Sequence, residues 1–234
     1  MWYLIALGIL ISLYVFIFFN LKKMRNVKIT NCVFASIIFV CYVSLVIYVY
    51  FDAGPTDWNF LNTLPTANVS PFMFAIIPII LLLPKKIKKY FLLLVVLLIV
   101  GMFLSGIISC SYNAIIGYKF HHHFMLDYIA HFALSLWGIY LIKSGQVELN
   151  KKDALVAGSI IIGVSILMLM LNLIFNTAFF GLSLYGKHNI YNVVLTSSSI
   201  LSVTLYFIGL GFVLILGYFV GYFVNKGKNK EKEI

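Results

Sequence analysis

The sequence predicts an all-α fold, a polytopic transmembrane helix bundle. Three observations point to it. The 234 residues are 62% hydrophobic and only 10% charged, whereas a soluble domain is nearer half apolar and a quarter charged. The apolar residues gather into about seven runs, most of them near the ~20 residues that a helix needs to cross hydrocarbon. The basic residues lie in short clusters between alternate runs, as the positive-inside rule describes. A formal charge of +10 in a soluble chain would suggest nucleic acid. Here the clustering explains it, so no nucleic-acid partner is expected.

The first span is Met1 to Phe19, followed by Lys22, Lys23 and Arg25. A secretory signal carries its positive charge before the apolar stretch; this segment has the reverse polarity and reads as a retained span with an outer N-terminus. The second runs from about Ile29 to Phe51. The loop Asp52 to Asn62 holds Asp52, Asp57 and Trp58 and no lysine, which suits an outer loop with an interfacial tryptophan.

The third span, within Asn62 to Pro84, is broken by prolines. Of the five prolines, Pro65, Pro71, Pro78 and Pro84 fall there. Each lacks a backbone donor and clashes with the carbonyl four residues back, so Pro65, Pro71 and Pro78 cannot share one undisturbed helix. A freed carbonyl at membrane depth needs a partner, so the break must be buried in protein or line a wet cavity. Pro71 to Leu83 would give only about 20 Å of helix, so the residues before it enter the membrane in irregular form. Ser70 and Pro71 read as an N-cap and first helical residue.

Pro84 to Lys89, PKKIKK, reads as a tight inner turn. The fourth span is Tyr90 to about Ser109, and an outer loop from Cys110 leads to His121, His122 and His123. The fifth is about Phe124 to Ile142, the sixth Ala154 to about Phe175, and the seventh lies within Val193 to Val224. Residues 1–224 form one transmembrane domain and 225–234 a basic cytoplasmic tail that can attract anionic lipid. With the N-terminus outside and the C-terminus inside, all but Lys119 and Lys187 of the 17 basic residues fall inside. The single arginine, Arg25, amid many lysines, with abundant Ile, Phe, Tyr and Asn, is the usage of an AT-rich bacterial genome; a bacterial plasma membrane is expected. No internal repeat is evident, which weakens an inverted-repeat transporter.

Cys32, Cys41 and Cys110 show no CxxC spacing, so neither a zinc site nor a disulfide framework is indicated. Three consecutive histidines on a helix point in different directions, so no metal and no cofactor is expected.

Asp127 and His131 sit four apart on one face of the fifth span. Ionisable residues inside a membrane are costly and suggest function, and a carboxylate one turn from an imidazole can orient it. Thr66 and Ser70 are hydroxyls in the broken segment; a hydroxyl needs an adjacent base to act as a nucleophile, and His131 is that base if the third and fifth spans touch. Asn68 can donate to an oxyanion. Asn172 and Asn176, again four apart, either line a binding site or hydrogen-bond between helices. Gly217 and Gly221 form a small-residue pair suited to helix packing.

LPTANVSPF (Leu64–Phe72), DYIAHFALSLW (Asp127–Trp137) and LNLIFNTAFFGL (Leu171–Leu182) resemble, in order, the pattern of the YwaF-type bacterial integral membrane proteins. Those carry an LPLHLCN-like segment, a lone helix histidine and an Asn-rich segment. That family is related to a eukaryotic transmembrane phospholipid acyltransferase and is loosely similar to the androgen-induced membrane hydrolases, which use a threonine and a histidine. The resemblance covers about Leu64 to Gly181. It implies that His131 corresponds to the family histidine and Asn68 to the Asn after the family cysteine. Ala67 stands in place of that cysteine, so the nucleophile would be Thr66.

Three functions follow as expectations. The first is a lipid acyl hydrolase or acyltransferase working in the outer leaflet, with Thr66, His131 and Asp127 catalytic and Asn68, Ser70, Asn172 and Asn176 binding substrate. The second is a protein that binds or transports a lipid or small solute through the same residues. The third is a structural subunit that meets a membrane partner, or a second copy, through the Gly217/Gly221 face.

Overall fold

The computed structural model describes residues 2–54, 61, 63–115, 123–175, 179–182 and 199–230. Among these it holds eight α-helices, two 3₁₀ turns and no strand. The helices are α1 (Trp2–Asn20), α2 (Val27–Ala53), α3 (Val69–Leu82), α4 (Lys85–Leu97), α5 (Ile99–Ile115), α6 (His123–Lys143), α7 (Lys151–Phe175) and α8 (Ser199–Lys230). The 3₁₀ turns are Leu21–Lys23 and Phe179–Gly181. Helices α1, α2, α6, α7 and α8 are each long and apolar enough to cross a membrane, and α4 with α5 makes one more if the bent pair is a single span. The all-helical membrane fold read from composition is therefore present, and the chain is a multi-pass membrane protein.

Helix α6 is the post around which the bundle is built. Its apolar stretch is 78% buried, against 17–33% for the other long helices. It packs against α1, α2, α4, α5 and α8, while α3 leans on α2 and α4, and α7 on α4 and α8. Trp137 and Tyr140 of α6 are among the largest fully buried side chains. Lipid tails are as apolar as leucine, so this burial stabilises through close packing and hydrogen bonds rather than through loss of water. Among those bonds, Trp137 Nε1 donates to Asn31 Oδ1 at 2.9 Å and Tyr140 donates to the carbonyl of Met24 at 3.2 Å. Helix α6 stops where Gly145 takes a left-handed φ of 76°, and the amide of Gln146 closes on the carbonyl of Leu141, a Schellman-type end.

Contacts between elements gather the lysines at one end. The Lys143 ammonium sits 3.9 Å from the centre of the Phe18 ring. Lys89 pairs with Asp153, which Asn150 caps by accepting from its amide at 2.8 Å. Lys88 donates to the carbonyl of Leu81 near the end of α3. The PKKIKK segment thus differs from its sequence reading. Lys85 to Lys89 are the first turns of α4 rather than a loop, because Pro84 alone turns the chain and its lysines find carbonyl and carboxylate partners.

The fourth span also departs from expectation. It breaks at Leu98 and bends by 44° between α4 and α5. No proline causes this. Ser135 of α6 donates to the carbonyl of Ile99 at 3.0 Å, and Tyr14 of α1 hydrogen-bonds the same Ser135 hydroxyl at 3.0 Å; a side chain reaching into the backbone ladder is a recognised cause of such a kink. Beyond it α5 runs on to Ile115. Cys110, read as the start of a loop, is inside that helix and buried, with its thiol on the carbonyl of Tyr3 at 3.3 Å. Helix α8 continues to Lys230, so the tail begins as the last turns of a helix.

Candidate functional site

The site grows from the prolines. Leu64 to Asn68 form a non-helical turn, closed by the Ala67 amide on the Leu64 carbonyl at 2.9 Å. Helix α3 then starts at Val69 with Asn68 as its N-cap, in extended backbone at φ −149°. Ser70 is therefore not the cap that the sequence suggested. Pro71 lies one residue further in, still in the first turn, where its missing N–H costs no helix bond. Pro78 sits inside α3. The helix has 14 residues, about 21 Å, so the turn before it does the remaining work of leading the chain in.

The carbonyl of Thr66 finds a partner from far along the chain: the Phe180 amide donates to it at 2.7 Å. Phe180 is held in the left-handed region at φ 56°, the only described non-glycine residue there. Asn172 builds that turn. Its amide nitrogen donates to the carbonyls of Phe179 at 2.9 Å and Leu182 at 2.6 Å, and its oxygen accepts from the Phe179 amide at 2.7 Å. Asn172 is only 1% exposed. The Phe180 ring also meets the Phe72 ring of α3 at 5.8 Å, edge on. Of the two uses considered for Asn172, the structure displays hydrogen bonding that folds the chain.

On α6, His131 is buried and its Nδ1 faces two oxygens of Asp127, the carbonyl at 2.9 Å and the carboxylate Oδ1 at 3.4 Å. Two acceptors on one side place the proton of the neutral imidazole on Nδ1 and leave Nε2 as its acceptor nitrogen. Among the described residues no hydrogen bond reaches Nε2. The third and fifth spans do touch: Phe74 of α3 meets the imidazole at 5.0 Å between ring centres, nearly perpendicular. On the other side, a Cβ added at Gly106 of α5 would lie 3.4 Å from the His131 Cβ. The histidine is thus clasped between α3 and α5.

The residues 66 to 74, 127 to 131, 172 to 175 and 179 to 182 are therefore linked through Phe74, Asn172 and Phe180, at the end of the bundle away from the lysines. The side chains of Thr66, Asn68 and Ser70 are half-buried and make no hydrogen bond among the described residues. No hydrogen bond joins the Thr66 hydroxyl to His131. Asn176, His121 and His122 lie outside the described residues. Sequence reading missed Phe180, Phe74 and Ser135. A positive φ at Phe180 has a weak local signal in the Gly181 that follows it; the other two have none.

Gly217 and Gly221 of α8 face inward. A Cβ at Gly217 would strike the Leu97 carbonyl oxygen at 1.9 Å, and one at Gly221 would lie 2.7 Å from Leu149 Cδ1. This face packs within the chain. No protein-family model, no curated protein and no solved structure matches the chain.

Proposed function

We propose that this membrane protein binds a lipid headgroup or a small polar solute beside His131, through a hydroxyl or amine that donates to Nε2. One observation carries the reading. His131 is buried with Nδ1 tied to Asp127, so its second nitrogen is an acceptor left without a hydrogen bond among the described residues. An unpaired polar atom at membrane depth is costly, and a ligand's donor relieves that cost. The idle side chains of Thr66, Asn68 and Ser70 on the neighbouring lead-in to α3 supply further polar contacts of the kind that fix orientation in an otherwise apolar site.

The test is native mass spectrometry of the purified protein, comparing co-purifying lipids and solutes in wild type, His131→Ala and Asn68→Ala. The reading expects a species retained by wild type and lost from His131→Ala. Identical retention in all three overturns it.

A second reading, acyl transfer with Thr66 as nucleophile, is favoured by the same Asp127–His131 pair, which is the orienter and base of such a mechanism. The bond from nucleophile to base is the missing half, although such bonds often close only on substrate. Acyl release from a labelled phospholipid that survives Thr66→Ser but not Thr66→Ala would select this reading over simple binding.

A further inference from the structure

We infer that Asn172 is a positioning residue: through the turn Phe179–Gly181 it holds the polar lead-in to α3 in place. The inference rests on the reading of Thr66, Asn68 and Ser70 as walls of the site, but its geometry stands apart from any ligand.

The chain of contacts is short. Asn172, at the C-terminal part of α7, takes two carbonyls and one amide of residues 179 to 182. That folds the backbone so that Phe180 adopts φ 56°, a conformation a bulky residue adopts only where its surroundings enforce it. So placed, the Phe180 amide points at the Thr66 carbonyl, 2.7 Å away, and its ring lies against Phe72. Thr66 and Phe72 bracket Asn68 and Ser70. The turn thus grips the lead-in at both ends, and nothing else described bonds the Thr66 carbonyl.

The alternative is that Asn172 merely fills the bundle, as Ser165 does two turns earlier on the same face of α7, where it pairs with Tyr206 at 3.0 Å. The two cases differ in where damage shows. A clamp that is lost frees the lead-in alone; a lost core contact loosens the bundle as a whole.

The experiment places a cysteine at position 68 (Asn68→Cys) in a chain whose Cys32 and Cys41 are replaced by serine. Buried Cys110, in the packing between α1 and α5, stays as the internal control. Maleimide labelling is followed by mass spectrometry in the otherwise unchanged protein and with Asn172→Leu, Asn172→Asp or Ser165→Ala. We expect Asn172→Leu to speed labelling at position 68 at least fivefold with Cys110 still protected. Asn172→Asp, which keeps only the acceptor for the Phe179 amide, should fall between, and Ser165→Ala should not raise labelling at position 68 relative to Cys110. If Asn172→Leu fails to fold, Asn172→Asp against Ser165→Ala decides alone. Unchanged labelling at position 68, or an equal rise at Cys110, overturns the clamp. Failure of the binding reading shows elsewhere, as retention unaffected by His131→Ala, and leaves this result intact.

Discussion

Gly217 of α8 lies so close to Leu97 that a methyl group on it would sit 1.9 Å from the Leu97 carbonyl oxygen. The obstacle is backbone, at the point where α4 gives way to α5, so it cannot swing aside as a side chain would. Gly217→Ala must therefore push α8 off α4. Overpacking of this kind costs about 1–3 kcal/mol, and a clash with backbone belongs at the upper end. Thermal unfolding in detergent should register a clear fall in Tm. Gly209→Ala, one helix face away with open space around its Cβ position, should leave Tm unchanged or slightly raised, since alanine is the better helix former.

Ser135 joins three helices: Tyr14 of α1, its own α6, and the Ile99 carbonyl at the bend. Ser135→Ala strands the Tyr14 hydroxyl in an apolar setting. A loss of about 1–2 kcal/mol is expected from the unmade bonds. Tyr14→Phe alone should cost less, because Ser135 still has the Ile99 carbonyl. The double variant should cost little more than Ser135→Ala, and a denaturant titration of all three checks that non-additivity.

Lys89 and Asp153 tie the first turn of α4 to the first turn of α7. Asp153 also completes a reciprocal cap with Asn150 and lies where a helix N-terminus favours negative charge. Asp153→Ala should thus destabilise more than Lys89→Ala, and the two losses should not add. Raising salt should weaken the Lys89 contribution but spare the cap.

Asp127→Asn keeps the backbone carbonyl that His131 Nδ1 faces but removes the negative charge at Oδ1. Under the binding reading it should reduce ligand retention by less than His131→Ala. Under the acyl-transfer reading it should reduce the rate strongly, because it withdraws the charge that would stabilise the imidazolium. Measuring retention and acyl release on the same variant separates the two.

Much of this was legible in advance for a physical reason. Hydropathy and lysine placement report on a helix's environment residue by residue, and the bounds of α1, α2, α6 and α7 fall within a few residues of those expected. The Asp127–His131 contact was readable too, because four residues on a helix fix the geometry. The 44° bend at Leu98 was not. The side chains that meet at it, Ser135 and Tyr14, lie on other helices, and nothing in the local run LVVLLIVG marks it. The same holds for the N-cap: Ser70 looked suited, but the turn ends where Phe180 grips Thr66, and that fixes Asn68 as the cap instead. Phe74 carries no signal of its own in the sequence, and only the packing of α3 sets it against His131.

The buried position of α6 has a consequence for biogenesis. The helix with the lowest mean hydropathy of the five long spans is also the most enclosed. Its Ser135, Trp137 and Tyr140 bond to neighbours that lipid cannot replace. Handed to the bilayer alone it is the weakest candidate for insertion. Helices α1 to α5 are synthesised before it and offer a lined berth, so its insertion is a protein-assisted step rather than a simple partition into lipid. Truncated chains ending after α6 should insert it well only when α1 and α2 precede it, as glycosylation-site mapping of nascent chains would reveal.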